Sequence, residues 1–342
     1  MTDRQYAAAG VNLVDADRAK ERIMQAVAST RTPLTAGRLG AFGGMVRIPP
    51  EMKQPMLVLS TDGVGTKVLV AAQAQRYGTV GEDLVNHSVN DILVHAARPI
   101  AFMDYIAGSD LTVEQIADVV EGIARACRAH DMTLAGGETA QMPGLYGPGH
   151  YDLAGTIVGV VEEGEAMHGD RIVAGDVLLG YASTGLHTNG YSLARRIVFD
   201  QLNLGVNDSL GDTGVTVADA LLAIHQSYYK AITPVMDRIH GLAHITGGGI
   251  PGNLVRILPP DCEAVVDPGA WDLPPLFRFL QRAGQVSNAE MRDVFNLGIG
   301  MIAVLSREGV PALQEAARAD GVATWIIGEI RSGPHGVAFS TQ

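Results

Sequence analysis

A chain of 342 residues, 47% of them hydrophobic, is long enough for about two domains and can fill a sizeable core. Lys and Arg number 25 against 37 Asp and Glu, and the resulting net charge of -12 disfavours bulk nucleic-acid binding. Cys127 and Cys262 lack the spacing of a disulfide framework or zinc knuckle, Asp3, Arg4, Asp15 and Asp17 precede any long apolar run, and no window approaches the ~18 apolar residues of a membrane span. A cytoplasmic protein with no signal peptide, no membrane anchor and no nucleic-acid partner is expected.

Glycine accounts for 41 residues, about 12% against a usual ~7%, and it gathers in a few loops. Residues 1 to about 55 predict one helix, roughly Asp15 to Ser29. Then comes Gly37-Arg38-Leu39-Gly40-Ala41-Phe42-Gly43-Gly44, which suits either a mobile flap over a ligand or a plain loop. The apolar run Met56 to Leu59 has the length of a buried strand and presents Ser60-Thr61-Asp62-Gly63-Val64-Gly65-Thr66-Lys67 just past its end. Gly63 and Gly65 let the backbone turn so that amides approach an oxyanion, while Thr66 and Lys67 add a hydroxyl and a cation. Asp62 would repel phosphate unless a divalent cation lay between them, which is how Mg²⁺ is usually held. The order Gly-Thr-Lys is not that of a Walker P-loop.

Thr79-Val80-Gly81-Glu82 has the form of a capping box, predicting a helix from about Glu82 to Ala97 with Val85, Val89, Ile92 and Ala96 as its buried stripe. On another side stand His87, Asp91 and His95, a solvated face or, with Asp91, a second metal ligand. The strand Ile100 to Ala107 follows. Thr112-Val113-Glu114-Gln115 then caps a helix with Val113, Ile116, Val120 and Cys127 inward. Met132 to Ala135 is a short strand leading into Gly136-Gly137-Glu138-Thr139-Ala140-Gln141-Met142-Pro143-Gly144, a second glycine and acid loop. The strand Asp152 to Val161 closes this half.

A boundary is expected near 163–170. Beyond it the strand Val177 to Ala182 leads into Ser183-Thr184-Gly185-Leu186-His187-Thr188-Asn189-Gly190 and a helix from Tyr191, the layout of an anion site. Helices at about 217–231, 273–283 and 309–319 and strands at about 263–267, 298–305 and 323–330 predict a mixed sheet covered by helices. His240 and His244 flank Gly241 with no acidic residue between them, unlike a zinc protease, and read as loop residues. Gly247-Gly248-Gly249-Ile250-Pro251-Gly252 matches G-x-G-x-x-G, with Asp267 at dinucleotide-binding distance. The helix available before Pro259 is nevertheless too short for a crossover.

The stretches STDGVGTK, VND, GGETAQMPG, GLHTNGYS, HITGGG and FNLGIGM, in this order and with Tyr6 to Val11 before them, resemble the phosphoribosylformylglycinamidine cyclo-ligase family, also called aminoimidazole ribonucleotide synthetases. The glycine and acid loops are shared with a wider ATP-binding superfamily that includes formylglycinamidine synthase, selenophosphate synthetase and thiamine monophosphate kinase. GLHTNGYS with FNLGIGM narrows the choice. The resemblance implies an α/β protein with mixed sheets: an N-terminal ATP- and metal-binding domain over 1–167 that pairs in a homodimer, and a C-terminal domain over 168–342. It implies ATP and Mg²⁺ as cofactors and formylglycinamidine ribonucleotide as substrate, cyclised at the fifth step of purine synthesis. Asp62, Asp91 and Glu138 would then serve the metal. Gly63, Val64, Gly65, Thr66, Lys67, Gly136, Gly137, Glu138 and Thr139 would surround the nucleotide. His187, Thr188, Asn189, Gly190, Gly247, Gly248 and Gly249 would face the substrate, with Asp62, Lys67, Asp91 and His187 carrying catalysis. Two departures from the family pattern are Gln141, where Glu is usual, and His95-Ala96-Ala97-Arg98 in place of Gln-Gly-Ala-Glu. Competing readings are a sister kinase of the superfamily, a nicotinamide oxidoreductase and a non-catalytic binding subunit.

Overall fold

A computed structural model describes residues 13–37, 42–211 and 213–340. Residues 38–41 of the glycine-rich arm, and Tyr6 to Val11, lie outside the described residues. The chain divides into two compact units, Met1–Ile92 with Arg98–Glu163, and Leu93–Ala97 with Gly164–Gln342. Among the described residues no helix is long and apolar enough to cross a membrane.

In the first unit, β1 (Thr35–Ala36) and β2 (Met45–Val46) form a small antiparallel ribbon. The main sheet contains β3 (Pro55–Gly63), β4 (Arg98–Gly108), β5 (Thr133–Gln141) and β6 (Tyr151–Glu162) in the order β3-β6-β4-β5. β4 and β5 are parallel and therefore need a crossover, supplied by the helix Val113–Ala129. That helix starts where the sequence predicts. Thr112 accepts from the Gln115 amide and Gln115 reaches back to the Thr112 amide, while Ile116, Val120, Ile123 and Cys127 are buried. Another helix of this unit, Gly78–Leu93, begins four residues before the predicted Glu82 and ends before Ala97. Thr79 and Glu82 do not cap it: the Thr79 hydroxyl donates to Arg76 and the Glu82 carboxylate pairs with Arg125. Val85, Val89 and Ile92 are fully buried as predicted, and Ala96 lies beyond the helix in a left-handed turn.

Alternation along β3 and β4 divides the sheet's faces. Ser60, Asp62 and Phe102 face the helix Gly78–Leu93, whereas Leu57, Leu59, Met103 and Tyr105 lie on the opposite face and are exposed.

The second unit has β7 (Val177–Ala182), β8 (Gly241–His244), β9 (Cys262–Val266), β10 (Ile299–Leu305), β11 (Thr324–Ser332) and β12 (Gly336–Phe339) in the order β12-β9-β11-β7-β10-β8. Only the β12–β9 pairing is parallel in this mixed sheet. β7 and β10 are apolar throughout because both faces are covered. Val177, Leu179 and Tyr181 enter one core with Leu242, Met301 and Leu313, and Leu178 enters another with Ile250, Leu254 and Trp271. The predicted helix at 217–231 is broken into Val217–Leu221 and Tyr229–Ile232. The glycine run after β8 opens a helix of only six residues, Gly249–Leu254, far short of a dinucleotide-binding crossover.

Candidate active site

Asp62 and Gly63 are the last residues of β3, paired with Gly155 and Ala154 on β6, so the acid sits on the sheet itself and not on a loop past it. His87, expected on a solvated helix face, is only 4% exposed. Its Nε2 lies 3.0 Å from Asp62 Oδ2 and 3.6 Å from Asp91 Oδ2, and the Ser60 hydroxyl donates to Asp91 Oδ2 at 3.2 Å. One imidazole thus holds two carboxylates together. Burial works against charge on His87, but the Asp62 hydrogen bond and the charges of Asp91, Asp62 and Asp83 outweigh it and raise its pKa. Burial likewise opposes the Asp62 carboxylate, yet the hydrogen bond and charge of His87, with the Gly63 amide, hold its pKa below the ordinary value.

Lys67 departs from the expectation of a phosphate-facing cation. It is fully buried, with Nζ 2.8 Å from Asp83 Oδ2, itself fully buried. Burial pulls the Lys67 pKa down and the Asp83 carboxylate pulls it up, with burial prevailing. The reason is local: Lys67 opens the helix Lys67–Ala74, whose first turn points into the unit, toward the helix bearing Asp83, His87 and Asp91. Val64 is also buried, its amide donating to the Leu153 carbonyl at 3.1 Å. Val64 and Lys67 are thus the buried members of the octet, while Thr61, Asp62 and Gly65 (φ +65°) are exposed and Thr66, just before the helix, is half-buried.

Gly136, Gly137, Glu138 and Thr139 lie within the edge strand β5 instead of in a loop. Their register separates Glu138 from the other acids. Asp62, Gly155, Asp104 and Gly137 form one row across the sheet, and Gly63, Ala154, Tyr105 and Glu138 the next, so Glu138 points to the opposite face from Asp62. Three strand spacings, about 14 Å, also separate them. Within one chain a single cation cannot be bound by Glu138 together with Asp62 and Asp91. Glu138 and its neighbours instead border a cleft of about 640 Å³ that Phe42, Gly44, Met103 and Tyr105 help to line. Asp104, which no sequence motif singles out, also lines that cleft and is pushed up to about 7 by desolvation. It lies so close to Gly137 that a Cβ there would overlap its carboxylate. Gln141 Oε1 is buried with no hydrogen-bond partner among the described residues.

In the second unit, β7 and β8 both run antiparallel to β10, so their ends and the start of β10 meet at one end of the sheet. This brings together the loops carrying GLHTNGYS, HITGGG and FNLGIGM. Asn296 ties two of them: its Nδ2 donates to the Gly185 carbonyl at 2.8 Å and its Oδ1 accepts from the Ser183 hydroxyl at 3.0 Å. Asn189 Oδ1 lies 3.2 Å from where a Gly247 Cβ would sit, tighter than ordinary van der Waals contact, and Asn253 Nδ2 donates to the Gly247 and Gly249 carbonyls. Thr188 is buried, Asn189 half-buried, and Gly190 and Gly248 take positive φ.

His187, expected to face a ligand, is 1% exposed. Its φ of +60° turns the ring inward, where Nε2 accepts from the Thr184 amide and the ring stacks on His225 at 3.9 Å. Neither does it cap the following helix, whose N-cap is Gly190. The space for the ring comes from Gly300, where any Cβ would overlap both Tyr228 and His187, which gives the second glycine of FNLGIGM its physical reason. His244, read from sequence as a loop residue, is the buried last residue of β8, and His240 pairs with Asp176 at 2.8 Å.

Models of the AIR synthase related protein family match both parts of the chain, the N-terminal domain over residues 43–161 and the C-terminal domain over 173–340. Among curated relatives, proteins named phosphoribosylformylglycinamidine cyclo-ligase from Sorangium cellulosum and Neisseria meningitidis are 45% and 44% identical. The first alignment covers 96% of this chain and 95% of that protein, the second 96% of each. Similar solved structures include a thiamine-monophosphate kinase from Stenotrophomonas maltophilia (TM-score 0.67, 18% identity, 95% of each chain) and the hydrogenase maturation protein HypE in complex with ATP (TM-score 0.63, 18% identity, 94% and 90%). At such identities these two speak for the fold alone. Near-full-length identity places the chain itself: it belongs to the phosphoribosylformylglycinamidine cyclo-ligase family.

Proposed function

We propose that the chain closes the imidazole ring of aminoimidazole ribonucleotide from formylglycinamidine ribonucleotide, consuming ATP and releasing ADP and phosphate. The observation that carries this reading is 45% identity over 331 residues to a protein of that name. Two carboxylates gathered by one imidazole nitrogen form a hard oxygen donor set, and that suits Mg²⁺. When bound, Mg²⁺ and ATP would supply charge neutralisation and the phosphoryl group that turns the formyl oxygen into a leaving group.

The chain's own residues hold and orient. Asp62 and Asp91 are the proposed metal ligands, and His87 fixes both by sharing its Nε2 between them. Lys67 acts through Asp83: the pair ties the octet to the helix that carries Asp91. Gly63, Gly65 and Thr66, next to the helix start, are the proposed phosphate contacts, where backbone amides favour an anion. Gly136, Gly137, Glu138 and Thr139 are assigned to the nucleotide through the cleft that they border. In the second unit Thr188, Asn189, Gly190 and the Gly247–Gly249 turn are the proposed substrate contacts. His187 is a positioning residue, since its inward ring sets the path of that loop.

Leu57, Leu59, Met103 and Tyr105 leave an apolar sheet face exposed, and pairing of that face with a second copy is the proposed basis of a homodimer. The buried thiols Cys127 and Cys262 are unpaired, which agrees with a reducing cytoplasm. The test measures ADP release and imidazole product with and without formylglycinamidine ribonucleotide. Substrate-dependent release of both is expected. ADP release that ignores this substrate, or phosphorylation without ring closure, would replace the reading with that of a sister kinase.

A further inference from the structure

Three histidines from separate segments of the second unit meet in its interior: His187 after β7, His225 in the break between the helices Val217–Leu221 and Tyr229–Ile232, and His244 at the end of β8. They are 1%, 0% and 6% exposed. One ring nitrogen of each lies within 4.8 Å of those of the other two. The His225 and His244 Nε2 atoms are 3.1 Å apart with their rings inclined at 60°. Two nitrogens on a tetrahedral Zn²⁺, at 2.0–2.1 Å each, sit about 3.3 Å from one another, so this pair already has the span of a shared cation. A second interaction orients His225, whose Nδ1 lies 3.4 Å from the Thr188 hydroxyl and leaves Nε2 for the cluster. Such a hydrogen bond to the far nitrogen is how metal-binding imidazoles are usually aimed.

We propose that His187, His225 and His244 form a binding site for a borderline transition-metal cation, Zn²⁺ first among them. The donor set is all imidazole, which suits Zn²⁺, Co²⁺ or Ni²⁺ and not Mg²⁺. The third ligand, His187, lies face to face with His225, so its ring must rotate to aim a lone pair at the shared cation as well as close a gap of at most about 1.5 Å. Binding therefore draws on the loop Ser183 to Gly190 and pins it to the helix break that carries His225 and to the end of β8.

The test uses the full chain, freed of metal and kept in excess Mg²⁺, and titrates it with Co²⁺. One equivalent is expected to bind with the visible d–d bands of a tetrahedral nitrogen site, and one equivalent of Zn²⁺ should displace it. His225→Gln and His244→Gln should each weaken binding by at least about 100-fold, while Asp62→Asn leaves it unchanged. Zn²⁺ should also raise the wild-type melting temperature, since it binds the folded chain. Should the histidine variants fail to fold, X-ray absorption of the wild-type zinc complex decides, because three imidazoles must appear around the ion. The proposal is overturned if wild type takes up no Co²⁺ in excess Mg²⁺, if both histidine variants bind normally, if Asp62→Asn abolishes binding, or if fewer than three imidazoles surround the zinc. Failure of the cyclisation assay would leave these metal measurements untouched, because none of them uses that substrate.

Discussion

In the first unit one buried imidazole lies between two carboxylates; in the second, buried imidazoles lie against one another. The same side chain is given opposite surroundings. Next to Asp62 and Asp91 the ring is stabilised as a cation and holds the Asp62 carboxyl below its ordinary pKa, with the two acids close as a hard oxygen pair. Beyond β7 and at the end of β8 the rings bring nitrogens together, two of them sharing a hydrogen bond, a softer set. Histidine alone therefore says little about the chemistry of a site, and what packs against it decides.

The largest expected effect lies in the support beneath the carboxylate pair. Lys67→Met leaves Asp83 buried without its cation, and breaking a buried pair in this way costs about 3–5 kcal/mol. Lys67→Met combined with Asp83→Leu should recover most of that stability, because two apolar groups replace two charges. Chemical denaturation of both variants measures it. Equal destabilisation by the single and the double variant would mean that Lys67 acts elsewhere, at a phosphate for instance.

Next come the carboxylates themselves. Asp62→Asn and Asp91→Asn should each lower turnover by about 10²–10³-fold while leaving the melting temperature within a few degrees, since both acids lie at the margin of the unit. Turnover against Mg²⁺ concentration checks the assignment. Near-normal turnover at limiting Mg²⁺ would release that residue from the metal.

In the second unit His187→Ala should reduce turnover by about 10²-fold with little change in ATP affinity, and should also lower the melting temperature because the ring is buried. Gly300→Ala offers an independent check. Its Cβ would displace the same ring and Tyr228, so it should reproduce the turnover defect with His187 still present. A Gly300→Ala enzyme with full activity would break the link between ring position and the substrate loop.

How much of this was legible in the sequence depends on the range of the interaction that fixes each residue. The Thr112 capping box and the bounds of β7 are local, and both agree with the pattern. Thr79 has the same capping signature, yet the helix starts at Gly78, because glycines at 81 and 122 let the two helices approach to backbone contact. The burial of Lys67 is set by Asp83, sixteen residues on, and the inward turn of His187 by a left-handed φ that no sequence pattern marks. Glu138 depends on one irregularity. The register between β4 and β5 slips by one residue between Phe102 and Met103, and with period-two side chains that slip sends Glu138 to the outer face and away from Asp62. His225 lies in what reads as continuous helix, and its position follows only from the break there.

The smallest effect concerns the row that Asp62 shares with Asp104. The two acids are separated by Gly155 on a single sheet face, but only Asp62 has an imidazole beside it. Desolvation lifts Asp104 from 3.8 to about 7. A carboxyl whose folded pKa lies above its unfolded value binds more protons in the folded state, so stability falls as pH rises between those two values. The loss begins near pH 4 and is complete above about pH 7. Asp104→Asn removes this titration and should gain stability over wild type as pH rises through that window, then hold a constant advantage. For a half-buried group the advantage is on the order of 1 kcal/mol after solvent screening. Melting temperatures of both proteins from pH 5 to pH 8, in the absence of nucleotide and Mg²⁺, provide the measurement. A difference that stays flat across the window would mean that Asp104 is already ionised at pH 5, and that the two acids of the row differ less than their neighbours suggest.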